Sequence, residues 1–226
     1  MGGQEAGQPR QGFLGLLDED DRRELMARAG RRRFKAGSRL MHEGAQGSEV
    51  MILLSGRVKV TATTAAGREV VLQFCGPGEL LGELSVIDRE ARSGNTEALE
   101  PVEALGVSAS EFRSLIERPG FATALIASLI ERFRNSDRRF VEFAAAQTLG
   151  RLAARLVELV DRFGEPAAEG IEIALPLTQD ELAGWTACSR EAIAKALATL
   201  REMGTIQTER RRITVLDLER LRGLAY

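Results

Sequence analysis

The chain has 226 residues, with 31 Lys and Arg against 33 Asp and Glu for a formal net charge of −2. That length gives room for two modest domains with cores of their own, and the near-neutral charge excludes a general polyanion binder, so contact with nucleic acid must come from local basic clusters. Two cysteines far apart, Cys75 and Cys188, suggest neither a disulfide framework nor a metal site, and no apolar run approaches the ~20 residues of a membrane span.

Residues 1–12 are rich in Gly and Gln, lack the apolar core of a signal peptide, and are expected to be disordered in a reduced cytoplasm. Leu16 to Ala29 reads as a short amphipathic helix, with Asp18-Glu19-Asp20-Asp21 favouring the dipole at its start. From Phe34 to about Val107 the texture is β. Val50-Met51-Ile52-Leu53-Leu54, Val58-Lys59-Val60-Thr61 and Val70-Val71-Leu72-Gln73-Phe74 are strand candidates set apart by Ser55-Gly56 and Ala66-Gly67 turns. Short strands at this spacing predict a sandwich or jelly-roll barrel.

Within that region Gly78-Glu79-Leu80-Leu81-Gly82-Glu83-Leu84-Ser85 is followed by Ala91-Arg92-Ser93. Glycine lets backbone approach a ligand closely, and a helical turn from Glu83 would present N–H groups. Arg92 can fork onto a phosphate, Ser93 can add a hydroxyl, and Glu83 can accept from a sugar hydroxyl. A glycine-rich turn closed by an Arg92–Glu83 ion pair gives the same pattern.

After Pro119 a helical stretch runs to about Phe163. Leu125, Leu129, Phe133, Ser136, Phe140 and Phe143 recur at spacings near four and three, a coiled-coil seam, with Ile126, Ile130 and Val141 left to pack on the barrel. Ser136 interrupts the seam with a hydroxyl, either as a packing defect or as the mark of a ligand pocket.

From Leu177 to Leu197 two short amphipathic helices flank a tight connection. Thr178 and Glu181 form a capping box, and Ser189 caps a second helix whose inner face is Ala192, Ile193, Ala196, Leu197 and Leu200. Arg190, Glu191 and Lys195 lie on the outer face, where Arg can grip guanine O6/N7 and Glu can accept from cytosine N4. An ordinary helical hairpin with a solvated charged face shares this pattern. The strand candidates Thr205–Thr208 and Ile213–Leu216 follow, with Arg210-Arg211-Arg212 at the tip between them. A basic-tipped hairpin after such a helix reads as the wing of a winged helix.

In order and spacing, the Gly78–Ser85 run, Arg92-Ser93, the long helix, Leu177–Ala183 and Cys188–Glu191 together resemble the CRP/FNR family of transcription regulators, over about residues 14 to 222. The resemblance is nearest to the cAMP receptor branch. It implies an α+β chain with a cyclic-nucleotide-binding jelly-roll β-barrel at 13–118, a dimerisation helix at 119–145 and a winged helix-turn-helix DNA-binding domain at 146–226. It further implies a homodimer on a palindromic double-stranded DNA operator, working with RNA polymerase and controlled by a cyclic nucleotide, cAMP first. Gly82, Glu83, Leu84, Ser85, Arg92 and Ser93 would line the ligand site, with Glu83 on the ribose 2′-hydroxyl and Arg92 and Ser93 on the cyclic phosphate. Ser136 and Asp137 would meet the base across the dimer. Thr178, Ser189, Arg190, Glu191, Lys195, Arg210, Arg211 and Arg212 would contact DNA.

Three departures stand out. The base-end pair is Ser136-Asp137, where hydroxyl or amide groups are usual. Ala187 replaces the turn glycine, at a cost of about 1 kcal/mol if φ is positive. Lys195 replaces a frequent Arg and loses its planar fork. An iron–sulfur regulator needs N-terminal cysteines, and none precedes Cys75. His42, the single histidine, sits in a turn-like setting rather than that of a haem ligand, and no metal-ligand spacing or catalytic constellation suggests an enzyme. A CRP-like regulator that is ligand-independent or senses another small effector is the alternative.

Overall fold

The computed structural model describes residues 12–173, 175–209 and 211–225. The expected disorder at 1–12 therefore lies outside the described residues except for Gly12, as does Arg210. Contacts divide the chain into two compact units, one ending at Asn135 and the other beginning at Ser136.

The first unit opens with α1 (Phe13–Leu16) and α2 (Glu19–Arg28). The single helix expected over Leu16–Ala29 is broken because Leu17 and Asp18 are extended, and Asp18 starts α2 by accepting from the Asp21 amide at 2.7 Å. Eight strands follow: β1 (Gly30–Phe34), β2 (Arg39–Met41), β3 (Glu49–Ser55), β4 (Val58–Thr63), β5 (Glu69–Cys75), β6 (Leu80–Leu81), β7 (Asn95–Ala98) and β8 (Val102–Ser108). The helix α3 (Glu83–Ile87) lies between β6 and β7. The strands form two antiparallel sheets in the orders β1-β8-β3-β6 and β2-β7-β4-β5.

The expected jelly roll is thus present as two sheets, and the barrel is not closed. Period-two alternation explains the layering. Met51, Leu53, Val102 and Ala104 turn toward Met41, Val58, Cys75 and Ala98 on the other sheet. Val50, Ile52, Leu105 and Val107 turn the other way, into a core shared with the flanking helices. A strand buried on both faces needs an unbroken apolar run, which is what Val50 to Leu54 supplies.

Two helices finish this unit. Ser108 caps α4 (Ala109–Ile116), and α5 (Pro119–Ala145) runs on into the second unit. Phe121 packs edge-on against Phe13 and Phe112, at centroid distances of 5.3 and 5.7 Å. Leu125 is buried in this same core and Leu129 packs against it, whereas Ile126 and Ile130 are exposed. The two faces of α5 are therefore reversed from the sequence expectation over its first half. The exposed stripe reads Ile126, Ile130, Phe133, Asp137 and Phe140, at a four–three spacing shifted from the predicted seam.

In the second unit α6 (Thr148–Phe163) follows a break at Ala146-Gln147, so the stretch expected to be continuous is two helices. A hairpin, β9 (Gly164–Ala167) with β10 (Gly170–Ile173), precedes α7 (Gln179–Thr186) and α8 (Arg190–Glu202). A second hairpin, β11 (Ile206–Glu209) with β12 (Arg212–Val215), and α9 (Leu218–Leu224) complete the fold. The sheet order β11-β12-β10-β9 leaves Pro166 on an edge strand, where its missing N–H costs no ladder bond. Leu152, Leu156, Leu159, Ile193, Leu197, Leu200, Ile213 and Leu221 fill the core.

The turn between α7 and α8 is held by Ala187 at φ 52° and ψ 40°, in the left-handed region, so the cost conditional on a positive φ applies. Ala187→Gly should release that strain, offset in part by the extra freedom glycine gains when unfolded. The net gain expected is about 0.5–1 kcal/mol, or roughly 1–4 °C in Tm. Thermal unfolding of the variant measures this, and a lower Tm would contradict it.

Candidate functional site

Residues from both sheets and from α3 and α5 surround a cavity of about 120 Å³ in the first unit. Gly82, Glu83, Leu84, Ser85, Arg92 and Ser93 all line it, together with Arg132. Backbone bonds pin the Arg92 segment: its N–H donates to the Ala45 carbonyl at 2.9 Å, and its carbonyl accepts from Gly44 at 2.9 Å.

The Arg92 side chain is 8% exposed. It donates to the Ser85 hydroxyl at 2.8 Å and to the carbonyl oxygens of Gly82 and Glu49. Burial pushes its pKa below the ordinary value, against the opposing fields of Glu83 and Glu49. Arginine does not lose its proton in a protein, so a cation sits inside the unit and, among the described residues, only neutral oxygens bond to its fork. Gly82 makes this possible. It adopts φ 78°, and a Cβ there would collide with the Arg92 guanidinium.

Glu83 is 1% exposed and pairs with Arg132 from α5 rather than with Arg92. Arg132 escaped the sequence reading. Its signal was there: it follows Leu125 and Leu129 at helical spacing on the face of α5 that packs on the barrel. Ser136 and Asp137 are exposed and do not line this cavity.

In the second unit the helix-turn-helix caps form as read from the sequence. The Thr178 hydroxyl accepts from the Glu181 amide at 3.2 Å, Glu181 accepts from the Thr178 amide at 2.8 Å, and the Ser189 hydroxyl accepts from the Ala192 amide at 3.1 Å. Arg190, Glu191 and Lys195 are exposed on α8. Arg190 Nε lies 3.7 Å from Asp180 Oδ1 on α7, an ion pair without a hydrogen bond. The Glu191 carboxylate bonds back to its own amide and to Ser189, which holds its pKa below the ordinary value. Arg211 sits at the hairpin tip with φ 60°, Arg212 Nε lies 3.1 Å from Glu172, and Arg201 of α8 donates to Thr208 of β11 at 2.9 Å.

Comparison with known proteins agrees with this division. Residues 31–119 match the cyclic nucleotide-binding domain and residues 150–224 the Crp-like helix-turn-helix domain. The chain is 32% identical over 189 residues to the CRP-like cAMP-activated global transcriptional regulator of Mycobacterium tuberculosis, covering 83% of this chain and 84% of that protein. The chain belongs to the CRP/FNR family of transcription regulators. A cyclic AMP receptor protein of Thermus thermophilus is 28% identical, covering 87% of this chain and 88% of its own. A solved CRP/FNR-family transcriptional regulator, also of Thermus thermophilus, superposes with a TM-score of 0.75 at 26% identity, over 87% of this chain and 98% of that one. This family consists of transcription regulators rather than enzymes. No helix among the described residues of this CRP/FNR-family chain is long and apolar enough to cross a membrane.

Gly82→Ala tests the close approach at the cavity. Left-handed strain alone costs about 1–2 kcal/mol, roughly 2–8 °C in Tm. Gly67→Ala, at φ 74° with nothing within 4 Å of its Cβ, carries only that strain. Gly82→Ala should therefore lower Tm further than Gly67→Ala. Equal drops would show that Arg92 yields without cost.

Proposed function

We propose that this protein is a homodimeric, sequence-specific DNA-binding regulator whose N-terminal sheets bind a cyclic nucleotide, cAMP first. The observation that carries this reading is Arg92. A buried guanidinium that meets only neutral oxygens is a strong anion site, and a phosphate diester supplies the missing charge. Glu83 offers a carboxylate to a ribose 2′-hydroxyl, Arg132 sets that carboxylate's direction, and Ser93 adds a hydroxyl at the cavity rim. Ser136 and Asp137 supply the base-end contacts from the long helix. The cAMP-activated relatives support the choice of nucleotide. Cytoplasmic location and contact with RNA polymerase follow from the same reading.

Dimerisation would cover the stripe Ile126, Ile130, Phe133 and Phe140. Phe133 and Phe140 are 68% and 74% exposed, well beyond what a monomer's long helix usually leaves in water. The paired α8 helices would then enter successive major grooves. Arg190 and Lys195, with Glu191, read base edges, while Thr178, Ser189, Arg211 and Arg212 hold phosphates. Arg210 is assigned the same role.

Calorimetry with cAMP and cGMP in parallel tests the effector. Arg92→Leu should abolish binding while the dimer persists. Retained near-wild-type affinity would move the site elsewhere.

Phe133→Asp with Phe140→Asp places paired charges in the proposed seam, at a cost of several kcal/mol. Light scattering should report monomers. A persistent dimer would put the interface on another surface.

Arg190→Ala should cost ~1–3 kcal/mol on the operator and little on random DNA. Arg211→Ala should weaken both alike and lower the salt slope by about one unit. Titrations at several salt concentrations separate the two. Parallel behaviour of the two variants would mean that α8 docks differently.

A further inference from the structure

A group of charged residues in the second unit surrounds the chain's single tryptophan. Trp185, on the last turn of α7, is 8% exposed. The guanidinium carbons of Arg139 and Arg155 lie over its ring, 5.6 and 5.5 Å from the centroid, within cation–π range. Arg139 comes from the C-terminal part of α5 and donates to Glu158 at 2.6 Å. Arg155, on α6 and 5% exposed, pairs with Glu158 at 2.6 Å and with Glu142 of α5. One turn earlier on α6, Arg151 donates to the Ala146 carbonyl at 2.9 Å and lies 4.2 Å over the Phe143 ring.

We infer that Trp185 and Arg139 are positioning residues for DNA reading, forming a joint that fixes the helix-turn-helix to the last turns of α5. The charge arrangement makes the two sides depend on each other. If residues 139–145 unwound, Arg155 would lose Glu142 while still buried, and Trp185 would lose the Arg139 cation from its face. Arg155 would keep Glu158, but Glu142 would be lost from a buried guanidinium and Arg139 from Glu158, and breaking a buried charge network is among the more destabilising local changes. If α7 swung away, both guanidinium groups would lose the indole that covers them. The ordering of the last turns of α5 and the seating of α7 are therefore one two-state element, the physical requirement for coupling distant sites. Thr186 and the strained Ala187 follow Trp185 directly and lead into the Ser189 cap of α8, so the joint also fixes where the recognition helix begins.

Hydrogen exchange on the full-length protein tests the joint without any ligand. Arg139→Gln should speed amide exchange by about tenfold in α7 as well as in residues 139–145, and Trp185→Ala should do the same in residues 139–145. Trp185→Phe, which keeps an aromatic face, should restore most of the protection and serves if the alanine variant fails to fold. Changes confined to the helix that carries the substitution would overturn the inference. A second arm rests on the proposed cAMP response. Arg139→Gln should bind cAMP with unchanged Kd, remain dimeric, and lose at least about fivefold of the cAMP-induced gain in operator affinity. An undiminished gain would also overturn the joint. If the wild type shows coupled exchange but no cAMP-induced gain, the effector reading fails and the joint stands.

Discussion

Arginine keeps its charge wherever it is placed, so each buried guanidinium obliges its surroundings to supply oxygen and opposite charge. Among the described residues one is buried in each unit, Arg92 at 8% and Arg155 at 5% exposure, and the problem is solved in two ways. Arg155 is given two carboxylates, Glu142 and Glu158, and the face of Trp185. Burial alone would raise the Glu158 carboxyl, but Arg139, Arg155 and Arg162 reverse this and hold it below its ordinary value. Charge there is answered within the protein, and the product is a joint. Arg92 receives only the oxygens of Gly82, Glu49 and Ser85. The fields of Glu83 and Glu49 oppose the cost of burying it, but no carboxylate among the described residues bonds to it, and the proposed anion site rests on that arrangement.

The same contrast explains what was legible in the sequence. Caps and strands depend on neighbours a few residues apart, and these were readable: the Thr178–Glu181 capping box, the Ser189 cap and the strands at Val50 to Leu54, Val58 to Thr61 and Val70 to Phe74. The Gly78–Ser85 run and Arg92-Ser93 were legible as one motif because they lie close in sequence around one short helix, whereas the contact of Arg92 with Gly82 was not. Arg132 was not, because it reaches Glu83 from 49 residues away. Nor was the partner choice of Arg92: the sequence allowed an Arg92–Glu83 pair, and only the approach of α5 gives Glu83 a different cation.

The long helix shows where periodicity alone falls short. Apolar residues occur on two faces of α5, and spacing cannot say which face meets the protein's own core. Phe121 decides it by packing between Phe13 and Phe112, which turns Leu125 inward and leaves Ile126 and Ile130 outward. One rotation of the helix thereby replaces Leu125 and Leu129 in the stripe by Ile126 and Ile130, while Phe133 and Phe140 stay in it. Asp137, rather than Ser136, falls in line between Phe133 and Phe140. If the proposed dimerisation covers this stripe, a carboxylate in that register is costly unless the partner surface offers it a donor.

Charge on the helix-turn-helix surface is nearly balanced as well. Asp180 stands beside Arg190, Glu172 beside Arg212, and Glu191 folds over the start of α8. Exposed pairs of this kind contribute little to stability, typically ~0–1 kcal/mol. Their effect falls on recognition. Each acid weakens the sequence-independent attraction to phosphates that a surface of bare arginines would exert. In the proposed reading Arg190 would trade Asp180 for a guanine edge with no hydrogen bond lost in the exchange. The wrong base returns nothing for that exchange. A chain of net charge −2 that reads DNA must draw its selectivity from such exchanges rather than from bulk attraction, and the arrangement of Asp180 against Arg190 is suited to that end.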